Sequence, residues 1–173
     1  MNKRLKIYSI DTSYIYSLKQ FDTHVCNHKE EHDYERPYVG ILVFETSNFY
    51  YFAPLTSQKN KSDFYCVKLN DQQGEPVGGV LINNMIPIPK EALNLFSMIN
   101  VQTYLTSPLP ADQDYGELLR NEILDMNTEN RNTQIHKKAK RFYRDYKYDK
   151  SIHNVCNDFK LLEEKALKYV EKK

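Results

Sequence analysis

The stretch "YVGILVFETSNFYYFAPLTSQKNK", residues 38 to 61, decides how the chain is read. "YVGILVFE" and "FYYFAPL" are rich in β-branched and aromatic residues and flank the turn-forming "TSN". They predict a β-hairpin over residues 38 to 55. Pro54 lacks an N–H, so it suits an edge or the end of a strand. The hairpin then delivers Thr56, Ser57, Lys59 and Lys61 together. Hydroxyls donate and accept hydrogen bonds, lysines add positive charge, and the set suits a phosphate. A solvated turn after an edge strand accounts for the same residues, and on composition alone it is the commoner case.

Outward from the hairpin, "LKIYSI" at residues 5 to 10 alternates like a strand. Asp11 or Thr12 can cap a helix in "SYIYSLKQF", with Tyr14, Leu18 and Phe21 on one face. Residues 22 to 36 are polar and read as a loop. "DFYCVKL" is a third sheet candidate, "DQQGEPVGG" a turn-rich loop, and "VLINNMIPIP" a strand ended by Pro87 and Pro89. From about Lys90 the pattern turns helical. "KEALNLFSMI" predicts a short helix. "PADQDYGELLRNEILDMNTEN" predicts a longer one with Leu118, Leu119, Ile123 and Met126 on its apolar side. "RNTQIHKKAKRFYRDYKY" and "DFKLLEEKALKYV" predict two more. Strands first and helices later point to an α+β fold. With no internal repeat, linker or low-complexity segment, residues 1–173 read as a single domain.

Composition narrows the function. The chain is 40% hydrophobic and 27% charged, which fits a folded globule. It carries no apolar run of membrane-spanning length and no signal-peptide h-region, so the expected location is cytoplasmic. Cys26, Cys66 and Cys156 form no CxxC pair, which fits a reducing compartment and small buried side chains. There are 14 Tyr and no Trp. Tyrosine rings can stack on unpaired bases, and they also fill half-buried strand faces.

The net charge of +1 is uninformative, but its distribution is not. "QIHKKAKRFYRDYKYDK", residues 134 to 150, is strongly basic, and residues 101 to 133 are acidic. A basic patch in a neutral protein serves either a phosphate-bearing partner or a solvated helix face.

His24, His28 and His32 stand four apart, with Cys26 among them. On a helix they would share a face and could bind zinc. The surrounding sequence lacks apolar periodicity and a second ligand group, so a solvated loop is favoured and no metal is assigned. GxGxxG, P-loop, GxSxG and HExxH motifs are absent, which counts against nucleotide-binding enzymes, acyl hydrolases and zinc proteases. Metal-free phosphodiester chemistry remains. RNA carries its own nucleophile, the 2′-OH, and Lys, Thr, Ser and Tyr side chains can align it and stabilise the crowded phosphate.

"KIYSIDTSYIYSLKQFD", "YFAPLTSQK", "INNMIPIP" and "NDFKLLEEKA", in this order, resemble the ToxN/AbiQ family of type III toxin–antitoxin endoribonucleases. The resemblance runs from about Lys6 to Tyr169, and "APLTS" with its following lysine and "LLEEKA" carry most of it. It implies a compact, twisted, barrel-like antiparallel sheet with added helices, similar to the Kid/MazF toxin fold. It implies metal-independent, cofactor-free RNA cleavage leaving 2′,3′-cyclic phosphate and 5′-hydroxyl ends. It also implies an antitoxin RNA of pseudoknot repeats, which the toxin cuts from its precursor and joins in a closed protein–RNA assembly, and abortive infection by phage. Cellular or phage RNA is the implied substrate, with no DNA or membrane partner.

Residue by residue, Thr56 and Ser57 match the family's site hydroxyls, Lys59 its lysine, and Tyr14 and Tyr34 its site tyrosines. Some members have a lysine where this chain has Tyr38. Arg36 or Lys61 would then supply the charge, and the general acid–base roles stay open. Lys137, Lys138, Lys140, Arg141, Arg144 and Lys147 are expected to grip RNA, with Phe142, Tyr143 and Tyr146 as base platforms. A non-catalytic RNA-binding module and a protein-interaction domain are the competing classes.

Overall fold

The computed structural model describes residues 2–26 and 38–172. Among the described residues, seven strands and six helices follow in chain order. They are β1 (Ile7–Ile10), α1 (Thr12–Lys19), β2 (Tyr38–Glu45), β3 (Phe49–Thr56), β4 (Cys66–Asn70), β5 (Pro76–Leu81), β6 (Ile86–Pro89), β7 (Phe96–Met98), α2 (Val101–Leu105), α3 (Pro110–Met126), α4 (Glu129–Asp145), α5 (Lys150–His153) and α6 (Phe159–Glu171). The fold is α+β. The strands form one antiparallel sheet in the order β4-β5-β3-β2-β1-β7, with β6 also paired to β3. β4 and β7 do not pair, so the sheet is open. This corrects the expected barrel-like closure.

The hairpin lies in the interior of the sheet. β2 and β3 pair from Gly40↔Pro54 to Glu45↔Tyr50, with a bulge between Leu42 and Phe44. The bulged Val43 carbonyl accepts a hydrogen bond from His136 Nδ1 of α4, so the irregularity has a partner. The other edge of β3 is shared. β6 pairs with Phe49 to Phe52, and β5 pairs with Leu55 and Thr56. Pro54 falls in the interval between them, so its missing N–H costs no pairing to β5 or β6.

Local signals explain most elements. Asp11 caps α1, its side chain accepting from the Tyr14 N–H at 2.8 Å; such a cap contributes about 1 kcal/mol. The β4–β5 turn closes on Asp71, whose carboxylate accepts from the N–H groups of Gln73 and Glu75 at 2.9 Å each. Gly74 supplies the φ of +88° that this turn requires.

Several expectations are corrected. α1 ends at Lys19, and Phe21 lies beyond it, 51% exposed, with Lys165 Nζ over its ring. β5 occupies Pro76–Leu81, most of it inside the expected loop. "VLINNMIPIP" is split by a 3₁₀ turn at Ile82–Asn84. "KEALNLFSMI" forms a 3₁₀ turn and then β7, which pairs with β1. The basic segment and the C-terminal segment are the expected helices α4 and α6.

α6 closes the core against β6. The main-chain N–H of Asn157 donates to the Asn83 carbonyl at 2.9 Å, and Asn157 Nδ2 donates to the Met85 carbonyl at 2.9 Å. "INNMIPIP" and "NDFKLLEEKA" therefore meet in space. Within "LLEEKA", Glu163 accepts from the hydroxyls of Tyr51 and Tyr143 at 2.7 Å each, and from Lys160 at 2.8 Å. Burial and the Glu163 charge both push the Tyr51 phenol upward, so it stays a neutral donor.

Candidate RNA-handling site

The end of β3 presents the hydroxyls. Thr56 is buried and registers with Gly79 of β5, and its Oγ1 accepts from the Gln58 N–H at 3.2 Å. The chain leaves the sheet there. Ser57, Gln58, Lys59 and Asn60 are exposed, and Lys61 is half-buried. Among the described residues, no hydrogen bond or ion pair engages the Ser57 hydroxyl or the Lys59 ammonium. Lys61 exerts its charge on the thiols of Cys26 and Cys66. Burial outweighs that effect, pushing Cys26 up to about 11 and Cys66 upward as well. Neither thiol is an activated nucleophile.

The loop is fastened to α4. Lys138 Nζ donates to the Asp63 carbonyl and, at 3.4 Å, to the Cys66 carbonyl. The rings of Phe64 and Phe142 lie 5.6 Å apart, and Lys68 pairs with Asp63 at 3.3 Å. Desolvation pulls the Lys138 amine downward. Lys138 is thus a clamp on the loop, which differs from its expected place on the RNA-gripping face.

The solvent side of α4 keeps the rest of the basic run. Asn132, Ile135, Ala139 and Phe142 face inward, while Lys137, Lys140, Arg141 and Arg144 lie on the opposite, exposed face. That stripe is roughly 10 Å long at helical rise. Arg144 and Arg141 pair with Asp145 at 2.6 and 3.4 Å, and Arg144 above all holds its carboxyl below the usual carboxylate range. Lys147 follows the helix, also exposed. The expected base platforms are otherwise engaged. Phe142 is buried against Phe64, Tyr143 holds Glu163, and Tyr146 packs on His153 at 4.5 Å. Phe64 in the loop and Tyr148, 83% exposed, are the accessible rings that sequence reasoning missed.

Tyr14 is 0% exposed, its hydroxyl donating to the Pro87 carbonyl and its ring meeting Tyr169 edge-on at 5.2 Å. In this position it supports the sheet and offers no face to a base. Tyr34 and Arg36 lie outside the described residues, as do His28 and His32. His24 is exposed and pairs with Asp22 at 3.0 Å.

An open antiparallel sheet whose interior strand passes a hydroxyl–lysine loop to a basic helix defines an α+β protein with a surface fitted to a polyanion. The family described as Toxin ToxN, type III toxin-antitoxin system, matches residues 6–167, and the chain belongs to it. It is 33% identical to the endoribonuclease ToxN of Bacillus thuringiensis subsp. kurstaki, over 96% of this chain and 85% of that protein. It is 26% identical to the endoribonuclease AbiQ of Lactococcus lactis subsp. lactis, over 97% of this chain and 91% of that one. A solved structure from work on selective inhibition of a type III toxin by a non-coding RNA pseudoknot superposes with a TM-score of 0.81 at 32% identity. It covers 98% of this chain and 99% of its own.

Proposed function

We propose that this chain is a metal-independent, sequence-specific endoribonuclease toxin held inactive by a pseudoknot RNA. The observation that carries the reading is the unengaged Ser57–Lys59 pair on a loop clamped beside the α4 basic stripe. The relatives named as endoribonucleases support it.

The reaction needs no external nucleophile. The 2′-oxygen loses its proton and bonds to phosphorus, the bond from phosphorus to the 5′-oxygen breaks, and that oxygen takes up a proton. The products are a 2′,3′-cyclic phosphate and a 5′-hydroxyl. Ser57 and Thr56 hold the scissile phosphate or the 2′-OH, and Lys59 stabilises the negative charge growing at phosphorus. In the same reading Tyr34 orients flanking nucleotides, and Arg36 or Lys61 supplies the charge that some members take from a lysine. Lys137, Lys140, Arg141, Arg144 and Lys147 grip the RNA backbone. The antitoxin is a set of repeat units that the toxin itself processes, assembled with it in a closed ring and released from it during phage infection, in the cytoplasm. A kinship of the open sheet with Kid/MazF toxins belongs to this reading too. In the structure itself, no helix among the described residues is long and apolar enough to cross a membrane.

The test is to incubate RNA-free protein with mixed-sequence RNA in EDTA and map the fragment ends, with Ser57→Ala in parallel. Cyclic-phosphate ends that disappear in the variant are expected. Binding without cleavage would overturn the nuclease reading and make the chain a non-catalytic RNA-binding module, and the absence of both binding and cleavage would overturn the proposal as a whole.

A further inference from the structure

Glu122 lies on the inner face of α3, in line with Gly116, Leu119 and Met126, and is 2% exposed. Among the described residues, no hydrogen bond or ion pair reaches its carboxyl. The carboxyl is directed at the end of β3. A Cβ added to Gly78 would meet the Thr56 carbonyl oxygen at 2.3 Å and Glu122 Oε1 at 2.7 Å. Both oxygens crowd one point, and only the missing side chain of Gly78 leaves room for them. The next residue, Gly79, is the register partner of Thr56.

We infer that the buried carboxyl of Glu122 is a positioning group for the hydroxyl loop, holding the Thr56 end of β3 from behind. The inference rests on the proposed role of Ser57 and Lys59 for its catalytic meaning. Its structural meaning stands on the packing of α3 against β5.

The chemistry follows from burial. Desolvation alone pushes Glu122 up to about 8. At neutral pH the group is a carboxylic acid, with an O–H to donate towards a main-chain carbonyl. The ionisable groups on neighbouring elements are engaged elsewhere. β5 carries none. On β4, Lys68 pairs with Asp63 at 3.3 Å, and the Cys66 thiol is pushed upward by its own burial. On α4, Arg131 pairs with Asp125 of α3 at 3.2 Å. On α2, Tyr104 packs edge-on against Tyr115 at 5.1 Å. No cation therefore offsets the charge when the proton leaves. Above about pH 8 a bare carboxylate faces the Thr56 carbonyl, and the end of β3 loosens.

Two readouts test this in wild type, Glu122→Gln and Glu122→Ala. The first is the RNA cleavage rate across about pH 6 to about pH 9, spanning the titration. The second is tryptic nicking after Lys59 and Lys61, normalised to nicking after Lys168, which needs no RNA chemistry. Wild type should lose cleavage and gain loop nicking by about tenfold through pH 8, the response expected when one state gives way to another. Glu122→Gln should hold both readouts flat there, and Glu122→Ala should be nicked faster at every pH. Wild-type and Gln profiles of the same shape would overturn the inference. If no variant cleaves RNA, the nuclease reading fails, and the nicking profile still decides this one. If Glu122→Gln does not fold, a wild-type nicking rate that is flat through pH 8 would overturn it.

Discussion

The ring of Phe64 sits 5.6 Å from the ring of Phe142, which joins the hydroxyl loop to the inner face of the basic helix. Loop and helix therefore form one continuous surface. Phe142 is buried, so Phe142→Ala should cost about 3–5 kcal/mol of stability, read by denaturant unfolding. Phe64 is half exposed. Phe64→Ala should cost far less stability yet lower cleavage about tenfold, the loss expected when reacting groups are held less closely. Full activity in Phe64→Ala would show that the contact does not position the loop.

Ser57→Ala and Lys59→Ala should each lower cleavage by about 10²–10³, the usual loss for one transition-state donor. Both side chains are exposed, so the melting temperature should stay near that of wild type. A variant that remains fully toxic at equal expression would remove its residue from the site.

The basic stripe and the clamp separate by their salt response. Replacing Lys137, Lys140 and Arg144 by Gln should weaken RNA binding and reduce the log–log salt slope by about 2, at about 0.7 for each lost phosphate contact on single strands. Lys138→Gln should leave that slope unchanged and lower cleavage instead, because its ammonium holds the Asp63 and Cys66 carbonyls. An equal change of slope for Lys138→Gln would place it on the RNA face after all.

Glu122 also sets a pH dependence of folding. Its native value, about 8, lies above the 4.5 of an unperturbed glutamate. Below 4.5 both folded and unfolded chains hold the proton, and its contribution is fully present. From 4.5 to 8 only the unfolded chain releases the proton, so stability falls with rising pH and levels off beyond. Glu122→Gln should remove a slope worth on the order of a few kcal/mol across that window. Matching stability–pH curves for the two proteins would show that the carboxyl is not held neutral.

At the far end of β3, Glu163→Ala should cost more than Tyr51→Phe. The phenylalanine removes one hydrogen bond of about 1 kcal/mol. The alanine strands the buried Tyr51 hydroxyl, about 1–3 kcal/mol for the orphaned donor alone, and removes the acceptor of Tyr143 and Lys160, which keep only their bond to each other at 2.7 Å. Urea midpoints give the ranking, and the reverse order would refute the account of "LLEEKA".

Local chemistry was legible in the sequence where it decided the outcome. The 38–55 hairpin formed because its strands carry β-branched and aromatic residues, and Asp11 capped α1 as its side chain suggests. Elsewhere distant partners prevailed. Phe96–Met98 has helical spacing but lies along the free edge of β1, and pairing there outweighed propensity. Gly78 resembles a loop residue in the sequence, whereas it marks the close approach of Thr56 and Glu122. At the proposed site, Ser57 and Lys59 stand out in the sequence because exposed polar residues at a strand end need no partner to be noticed. The use of Lys138 could not, because it reaches main-chain carbonyls about 70 residues away. Glu122 did leave a trace, an acid three residues after Leu119 and four before Met126, on the buried line of α3.

The Tyr51 hydroxyl finds its acceptor 112 positions later, on the last helix. During synthesis, the strand that ends in the hydroxyl loop thus leaves the ribosome long before the residue that seats it. The nascent chain cannot complete its core until α6 is available, so a ribosome stalled midway holds an unassembled surface. The order of translation thus opposes the order of assembly: the strand made early is the one seated late.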